Sequence, residues 1–124
     1  MLNTISLMGR FTSQPELQTT PSGISTVSFT VAVQRDYAGQ DGRREADFID
    51  CVAWRNTAEF ITRNFSKGDL VALTGSLQTR VYTDRDGKTR KSVVVQVGSI
   101  YFTGARSGGH AAAEGSDITG LPQE

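Results

Sequence analysis

The feature that most constrains the fold of this chain is an alternation of apolar and polar residues with a period of two. Val27, Phe29, Val31 and Val33 alternate with small or polar residues. This period is typical of a β-strand that buries one face and exposes the other. Four further segments are predicted as strands: residues 2–9, 46–54, 69–83 and 89–103. The chain is therefore predicted to consist mainly of strands.

A tight turn is predicted between the last two strands. The connecting residues are Asp84-Arg85-Asp86-Gly87, and Asp-Gly between two alternating runs is a strong hairpin signal. The Asp-x-Asp-Gly sequence also resembles the start of a calcium-binding loop. However, the carboxylate that such a loop needs at its twelfth position is absent, so the hairpin is favoured.

One segment departs from the strand pattern and is predicted to form a short helix. Asn56 is suited to cap its start, and Glu59 three residues later completes the pattern of a capping box. Three apolar residues then share one helical face: Ala58, Ile61 and Phe65. Gly68 is predicted to end the helix.

The predicted order is three strands, a short helix and two strands. This is the order of the OB-fold, an all-β architecture in which five strands form a small Greek-key barrel. The barrel domain is predicted over residues 1–106. Residues 107–124 contain no aromatic residue and many Gly, Ala and Ser, so they are predicted to form a disordered, mildly acidic tail.

The formal net charge of zero conceals an uneven distribution. Residues 1–106 contain all thirteen Lys and Arg residues but only ten acids, a net charge of +3. Residues 107–124 contain three acids and no Lys or Arg, a net charge of −3. The neutral total therefore does not exclude a nucleic-acid partner.

The third predicted strand carries aromatic residues on the face that should point to solvent. Ile49, Cys51 and Ala53 share one parity, and their sizes suit the interior of a small barrel. Phe48 and Trp54 share the other parity and are predicted to point outward. The alternative is a reversed register, in which these two rings belong to the core.

The fourth strand repeats this arrangement, with Tyr82 and Arg80 on its outward face. Basic residues neutralise phosphates. Flat rings give unpaired bases a surface for stacking, which a duplex cannot use. The combination predicts binding of a single-stranded nucleic acid. Two alternatives stay open: an OB-fold that binds RNA, and one whose aromatic residues pack against a protein partner.

Few residues offer catalytic or metal-binding chemistry. Cys51 is the only cysteine and is expected to be an inert core residue. The only histidine, His110, lies in the predicted tail, without a rigid partner to orient it. Asp47 and Asp50 point to opposite faces of one strand and cannot share an ion. The sequence therefore predicts neither an enzyme nor a bound cofactor or metal.

Several segments, in order, resemble the bacterial single-stranded DNA-binding proteins, the SSB family. The matching segments are LNTISLMGRFTSQPELQTTPSG, STVSFTVAVQRD, READFIDCVAWRNTAEF and KGDLVALTGSLQTRVYTDRDGKTR. The resemblance covers about residues 1–106. It implies an OB-fold, a cytoplasmic, nucleoid-associated location, and sequence-tolerant binding of single-stranded DNA in replication, recombination and repair.

The resemblance also implies roles for individual residues. Positions that stack on bases correspond to Tyr37, Phe48, Trp54 and Tyr82. Positions that contact phosphates correspond to Arg35, Arg55, Arg80, Arg85, Lys67, Lys88 and Lys91. A homotetramer built from two dimers is implied, with a dimer contact along the first strand at Leu2, Thr4, Ile5, Ser6 and Leu7.

The tail departs from the family pattern. Family tails usually end in an acidic tip closed by an Asp-x-Pro-Phe-like sequence that recruits replication and repair enzymes. Here residues 117–124 read DITGLPQE, with neither a terminal Phe nor a run of acids. The resemblance therefore does not extend to recruitment through the tail, and three explanations stay open: a truncated chain, a phage or accessory paralogue, or a different way of recruiting partners.

Overall fold

A computed structural model describes residues 1–38, 42 and 44–104 of the chain, apart from the side chains of residues 37 and 38. The predicted tail, residues 107–124, and His110 lie outside this part. The elements are six strands and one helix: β1 (Ile5–Phe11), β2 (Gln18–Thr19), β3 (Ser25–Ala38), β4 (Arg44–Trp54), α1 (Arg55–Asn64), β5 (Leu70–Thr83) and β6 (Thr89–Phe102).

Five long strands form a closed barrel in the order β1-β5-β6-β4-β3, and β1 pairs again with β3 to complete the circle. All neighbours are antiparallel except β4 and β6, which are parallel. The two-residue strand β2 pairs with β3. The predicted fold class is confirmed: a five-stranded barrel with one short helix between its third and fourth long strands.

The barrel interior contains the residues that the alternation assigns to it. Val27, Val31 and Leu73 are completely or almost completely buried. In β4, Cys51 and Ala53 belong to the core, whereas Phe48 is exposed, which excludes the reversed register. Burial raises the pKa of the Cys51 thiol to about 12, so the thiol stays protonated at neutral pH. This supports the prediction of an unreactive core residue.

The helix lies against the barrel core with Ala58 and Ile61 buried on its inner face, and Phe65, just after the end of the helix, is buried in the same core. The predicted capping box is wrong, because the helix begins at Arg55 with Trp54 as its N-cap and without a side-chain cap. Trp54 still has an extended backbone, and Arg55 turns the chain directly from β4 into the helix with a positive φ of 56°. This turn leaves no capping position for Asn56.

The end of the helix also differs from the prediction. The helix ends at Asn64, and the backbone N–H of Phe65 donates to the carbonyl oxygen of Ile61. Gly68 lies farther along the chain, where its N–H donates to the carbonyl oxygen of Phe11 at 2.9 Å. Its φ of 91° is a conformation that favours glycine. Gly68 therefore shapes the turn that leads into β5.

The predicted hairpin between β5 and β6 is confirmed, with Thr83 paired to Thr89 next to the turn. The carboxylate of Asp84 accepts hydrogen bonds from the Arg90 side chain at 2.7 Å and from the N–H groups of Asp86 and Lys88 at 2.9 Å. These hydrogen bonds hold the pKa of Asp84 below its ordinary value, and the bond from Arg90 has the largest effect. Asp84 therefore organises the turn through its own side chain.

Candidate nucleic-acid interface

The outward face of β3 and β4 forms the first part of the candidate site. The register places Ala32 opposite Phe48 and Thr30 opposite Asp50. The side chain of Phe48 points to solvent, and the residue is 67% exposed. A large ring that is so exposed leaves its face available for stacking. The outward prediction for Phe48 is therefore confirmed.

Trp54 lies on the same face at the end of β4, where the strand meets the helix. It is half-buried rather than exposed, so only part of its ring is accessible. Val52, between the two aromatic positions, is 3% exposed although it faces outward, and its neighbour on β6 is Gln96. The side chain of Val52 is therefore covered by its neighbours, whereas the ring of Phe48 is open to solvent.

The β5–β6 hairpin forms the second part of the site. Arg80 lies opposite Ser92, and Tyr82 lies opposite Arg90, so all four share one face of the hairpin. Tyr82 is 51% exposed. Arg90 is not one of the predicted phosphate contacts. Its position can nevertheless be found from the sequence, because pairing residues on the two sides of the Asp-Gly turn places it opposite Tyr82.

An open groove joins the two parts. It has a volume of about 360 Å³, and we refer to it as the outer groove. One side carries Thr30, Asp50 and Val52 from β3 and β4, and the other carries Arg80 and Val94 from the hairpin. The structure therefore brings an arginine from β5 to the outward face of β4. Phe48 and Tyr82 are exposed on the strands that border this groove.

The remaining predicted basic residues lie on different parts of the fold. Arg85 and Lys88 are exposed at the hairpin turn, and Lys67 is exposed in the turn after the helix. Lys91 pairs with Val81 on the hairpin face opposite to Tyr82. The backbone of Tyr37 belongs to β3, but its side chain lies outside the described part of the chain.

Comparisons with known proteins show the family to which this chain belongs. The model of the Single-strand binding protein family matches residues 2–103. The chain belongs to this family. A single-stranded DNA-binding protein of Bacillus cereus is 45% identical over 109 residues, which are 88% of this chain and 64% of that protein. Single-stranded DNA-binding protein A of Bacillus subtilis is 43% identical over 115 residues, 93% of this chain and 67% of that protein. The chain thus spans about two thirds of the length of these relatives.

In this member of the single-strand binding protein family, Arg35 does not join the outward face. Its guanidinium donates to both carboxylate oxygens of Asp47, at 2.8 and 3.1 Å, and to Glu45 at 3.3 Å. The hydrogen bond from Arg35 lowers the pKa of Asp47. Asp47 points to the face opposite to Phe48, because neighbouring residues of a strand alternate. A phosphate at Arg35 has to compete with these two acids.

The predicted subunit contacts of this family member lie in β1 and in the residues just before it. Leu2, Thr4 and Ser6 are exposed, whereas Ile5 and Leu7 are half-buried and pack against the core. Only Arg10 and Phe11 of β1 pair with β3. Ile5 to Gly9 pair with β5 on one side and with no described strand on the other. The outer edge of β1 is therefore open over this stretch.

The strand-to-helix turn at Arg55 combines backbone strain with an exposed positive charge. A left-handed conformation costs a residue with a Cβ about 1 kcal/mol relative to glycine. We expect Arg55→Gly to raise the free energy of unfolding by about 0.5–1 kcal/mol and to weaken binding to single-stranded DNA. Chemical denaturation and binding titrations at several salt concentrations measure both effects.

Arg55→Ala is the matched control for this substitution, because it removes the charge and retains the strain. Both variants should reduce the salt slope of binding by about 0.7, the value for one lost contact with a single strand. Only the glycine variant should be stabilised. Equal stability of the two variants would show that the conformation at Arg55 carries no strain.

Proposed function

We propose that this protein binds single-stranded DNA in a sequence-tolerant way and protects it during replication, recombination and repair. The observation that carries this proposal is the exposed ring of Phe48 on the face to which Arg80 is brought. A ring and a guanidinium on one surface can stack on a base and neutralise a phosphate of the same strand. Family membership and the names of the relatives support the same function.

The geometry favours single strands over duplexes. The bases of a duplex are stacked on each other, so the faces of Phe48 and Tyr82 have no partner there. The phosphates of either form can interact with the basic residues. Stacking therefore supplies the preference for single strands, and charge supplies an attraction that salt weakens.

The proposed role is binding without catalysis. The matched family is one of binding proteins, and the described residues contain no group of three or more potential metal ligands. Within that part of the chain, no helix is long and apolar enough to cross a membrane. We place the protein in the cytoplasm with the nucleoid because the proposed ligand is located there.

Titration of the intrinsic fluorescence of Trp54 tests this function. Trp54 is the only tryptophan and lies at the end of the outward face of β4. We expect single-stranded DNA to quench its fluorescence, with affinity that falls steeply as salt increases, and duplex DNA to quench it weakly. Anisotropy of labelled oligonucleotides provides an independent readout.

Two results would redirect the proposal. Tighter binding of single-stranded RNA than of DNA would favour the RNA-binding alternative, since stacking surfaces serve both. Absence of binding to any nucleic acid in both assays would refute the proposal and favour a protein partner for the aromatic residues.

We further propose that subunits associate through the open edge of β1 and form a homotetramer of two dimers. An unpaired strand edge presents N–H and C=O groups to which a second β1 can add. Ser6 is exposed on this edge, and Leu2 and Thr4 are exposed just before β1 begins at Ile5. Light scattering should give a mass four times that of the 13.4 kDa chain, and a monomer mass would contradict the proposal.

A further inference from the structure

An exposed arginine of the β5–β6 hairpin, Arg90, has a position that suits contact with a nucleic acid. It lies directly opposite Tyr82 in the antiparallel pairing of the two strands. Residues in such a pair have Cβ atoms about 5 Å apart and point to the same face. The side chain of Arg90 is 54% exposed, and Tyr82 is exposed as well. An accessible cation and an accessible ring are therefore neighbours on one surface.

Asp84 holds the guanidinium of Arg90 by one nitrogen only. The Nε–H group of Arg90 donates to Oδ2 of Asp84 at 2.7 Å. The other carboxylate oxygen, Oδ1, accepts from the backbone N–H groups of Asp86 and Lys88. The carboxylate is thus fixed by the turn, and it fixes the arginine in its turn.

The two terminal nitrogens of Arg90 remain available to a ligand. Within the part of the chain that the structure describes, Nη1 and Nη2 of Arg90 have no hydrogen-bond or ion-pair partner. Arg35 differs, because its Nε and both of its Nη groups donate to Asp47 and Glu45. The N–H groups of a guanidinium form a planar fork that matches the oxygens of a phosphate. Arg90 can therefore bind a phosphate without leaving Asp84.

A guanidinium that is fixed in advance binds more tightly than one on a freely rotating side chain. Binding has to immobilise a long side chain, and this cost is smaller when the side chain is already ordered. Without Asp84, the guanidinium could also turn onto the face of Tyr82, because cations are attracted to aromatic rings. It would then occupy the surface on which a base is expected to stack. Asp84 therefore orders the cation and keeps it away from the ring.

We propose that Arg90 binds a phosphate of the strand that stacks on Tyr82, and that Asp84 is the positioning residue for its guanidinium. This inference rests on the proposed function, because it requires that a single strand binds along the hairpin. An acid near a nucleic-acid site ordinarily weakens binding, since it repels phosphates. Here the carboxylate strengthens binding. Charge and positioning therefore predict opposite effects when the carboxylate is removed.

Asp84→Asn tests the proposal. The side-chain oxygen of asparagine can still accept from the N–H groups of the turn. Its amide nitrogen is a donor, as is Nε of Arg90, so it cannot replace the second carboxylate oxygen. The test measures Kd by anisotropy with a labelled oligo(dT) of about sixteen nucleotides, a length within the span of one OB-fold. We expect Kd to rise at least about 3-fold, although the protein becomes more positive.

Asp86→Ser is the matched control. It removes an exposed carboxylate from the same turn, and serine suits this turn position as well. Because this side chain does not hold Arg90, only charge should matter, and Kd should fall or stay within about 2-fold. Arg90→Gln tests the phosphate contact itself. It should raise Kd at least about 5-fold and reduce the salt slope by about 0.7, the value for one lost contact with a single strand.

The double variant, Asp84→Asn with Arg90→Gln, separates positioning from a change in the turn. If Asp84 acts through Arg90, Kd of the double variant should be no higher than that of Arg90→Gln alone. A further rise by the factor seen for Asp84→Asn alone would show that Asp84 only shapes the turn, and the inference would be wrong.

Two other results would overturn the inference. One is an Asp84→Asn variant whose Kd is unchanged or lower, as for the control. The other is an Arg90→Gln variant with unchanged Kd and salt slope. If the unmodified protein does not bind oligo(dT), the proposed function itself fails, and that result is distinguishable from all of these.

Discussion

Replacement of Phe48 by alanine is expected to weaken binding of single-stranded DNA by about 5- to 150-fold for each base that the ring stacks on. The same change is expected to alter the free energy of unfolding by less than about 0.5 kcal/mol. The ring is 67% exposed and lies opposite the small residue Ala32, so its removal opens no cavity in the core. We therefore expect this substitution to lower the affinity for single-stranded DNA while leaving the free energy of unfolding nearly unchanged.

Tyr101→Ala is the matched control for the Phe48 variant. Tyr101 is 42% exposed and pairs with Ala72 on β5, away from the residues that line the outer groove. Its replacement should leave the affinity unchanged. Fluorescence titration and thermal unfolding of both variants provide the measurements. A Phe48 variant that retains full affinity would show that this ring does not stack on the strand.

Replacement of Gly75 by alanine is expected to lower the free energy of unfolding by about 3 kcal/mol. The register of β5 and β6 shifts between Thr74 and Gly75, where Gly98 is left without a partner. A Cβ at Gly75 would overlap the carbonyl oxygen of Gln96 and lie 2.9 Å from its carbonyl carbon. Both atoms belong to the backbone, so rotation of a side chain cannot relieve the overlap.

The same irregularity supplies a control for Gly75→Ala. A Cβ at Gly98 would lie 3.6 Å from the carbonyl oxygen of Thr74, an ordinary van der Waals contact. Gly98→Ala should therefore change the free energy of unfolding by less than about 0.5 kcal/mol. Denaturant titration compares the two variants. Equal stability would mean that the strands can move apart at Gly75 without cost.

The alternation of apolar and polar residues predicts the barrel strands well, because a strand that buries one face has an apolar residue at every second position. Val27, Phe29 and Val31 point inward as their parity predicts, and Phe48 points outward. The same rule identifies Tyr82 and Arg80 as neighbours on one face of the hairpin. These assignments require only the alternating geometry of a strand.

Other features depend on interactions that the local sequence does not indicate. An asparagine with a glutamate three residues later predicts a helix N-cap at Asn56. The helix begins earlier, because Arg55 adopts a positive φ, and an arginine in the sequence does not indicate that conformation. The resemblance implies a phosphate contact at Arg35, and the structure adds a partner that the local sequence does not indicate, because Asp47 comes from the neighbouring strand. Pairing across strands and strained turns are set by the tertiary structure.

The barrel is closed by two short junctions, and this determines where it can open. The parallel strands β4 and β6 are paired at only two positions, where Cys51 lies opposite Val95 and Val52 lies opposite Gln96. The junction of β1 with β3 is equally short. Local opening is easiest where few backbone hydrogen bonds hold the strands, so amide hydrogen exchange should be fastest there among the buried strands. The outer groove lies across the β4–β6 junction, with Val52 on one side and Val94 on the other. A DNA strand bound in the outer groove would therefore hold the two halves of the barrel together. We expect amide hydrogen exchange at Val52 and Gln96 to become slower when the strand binds.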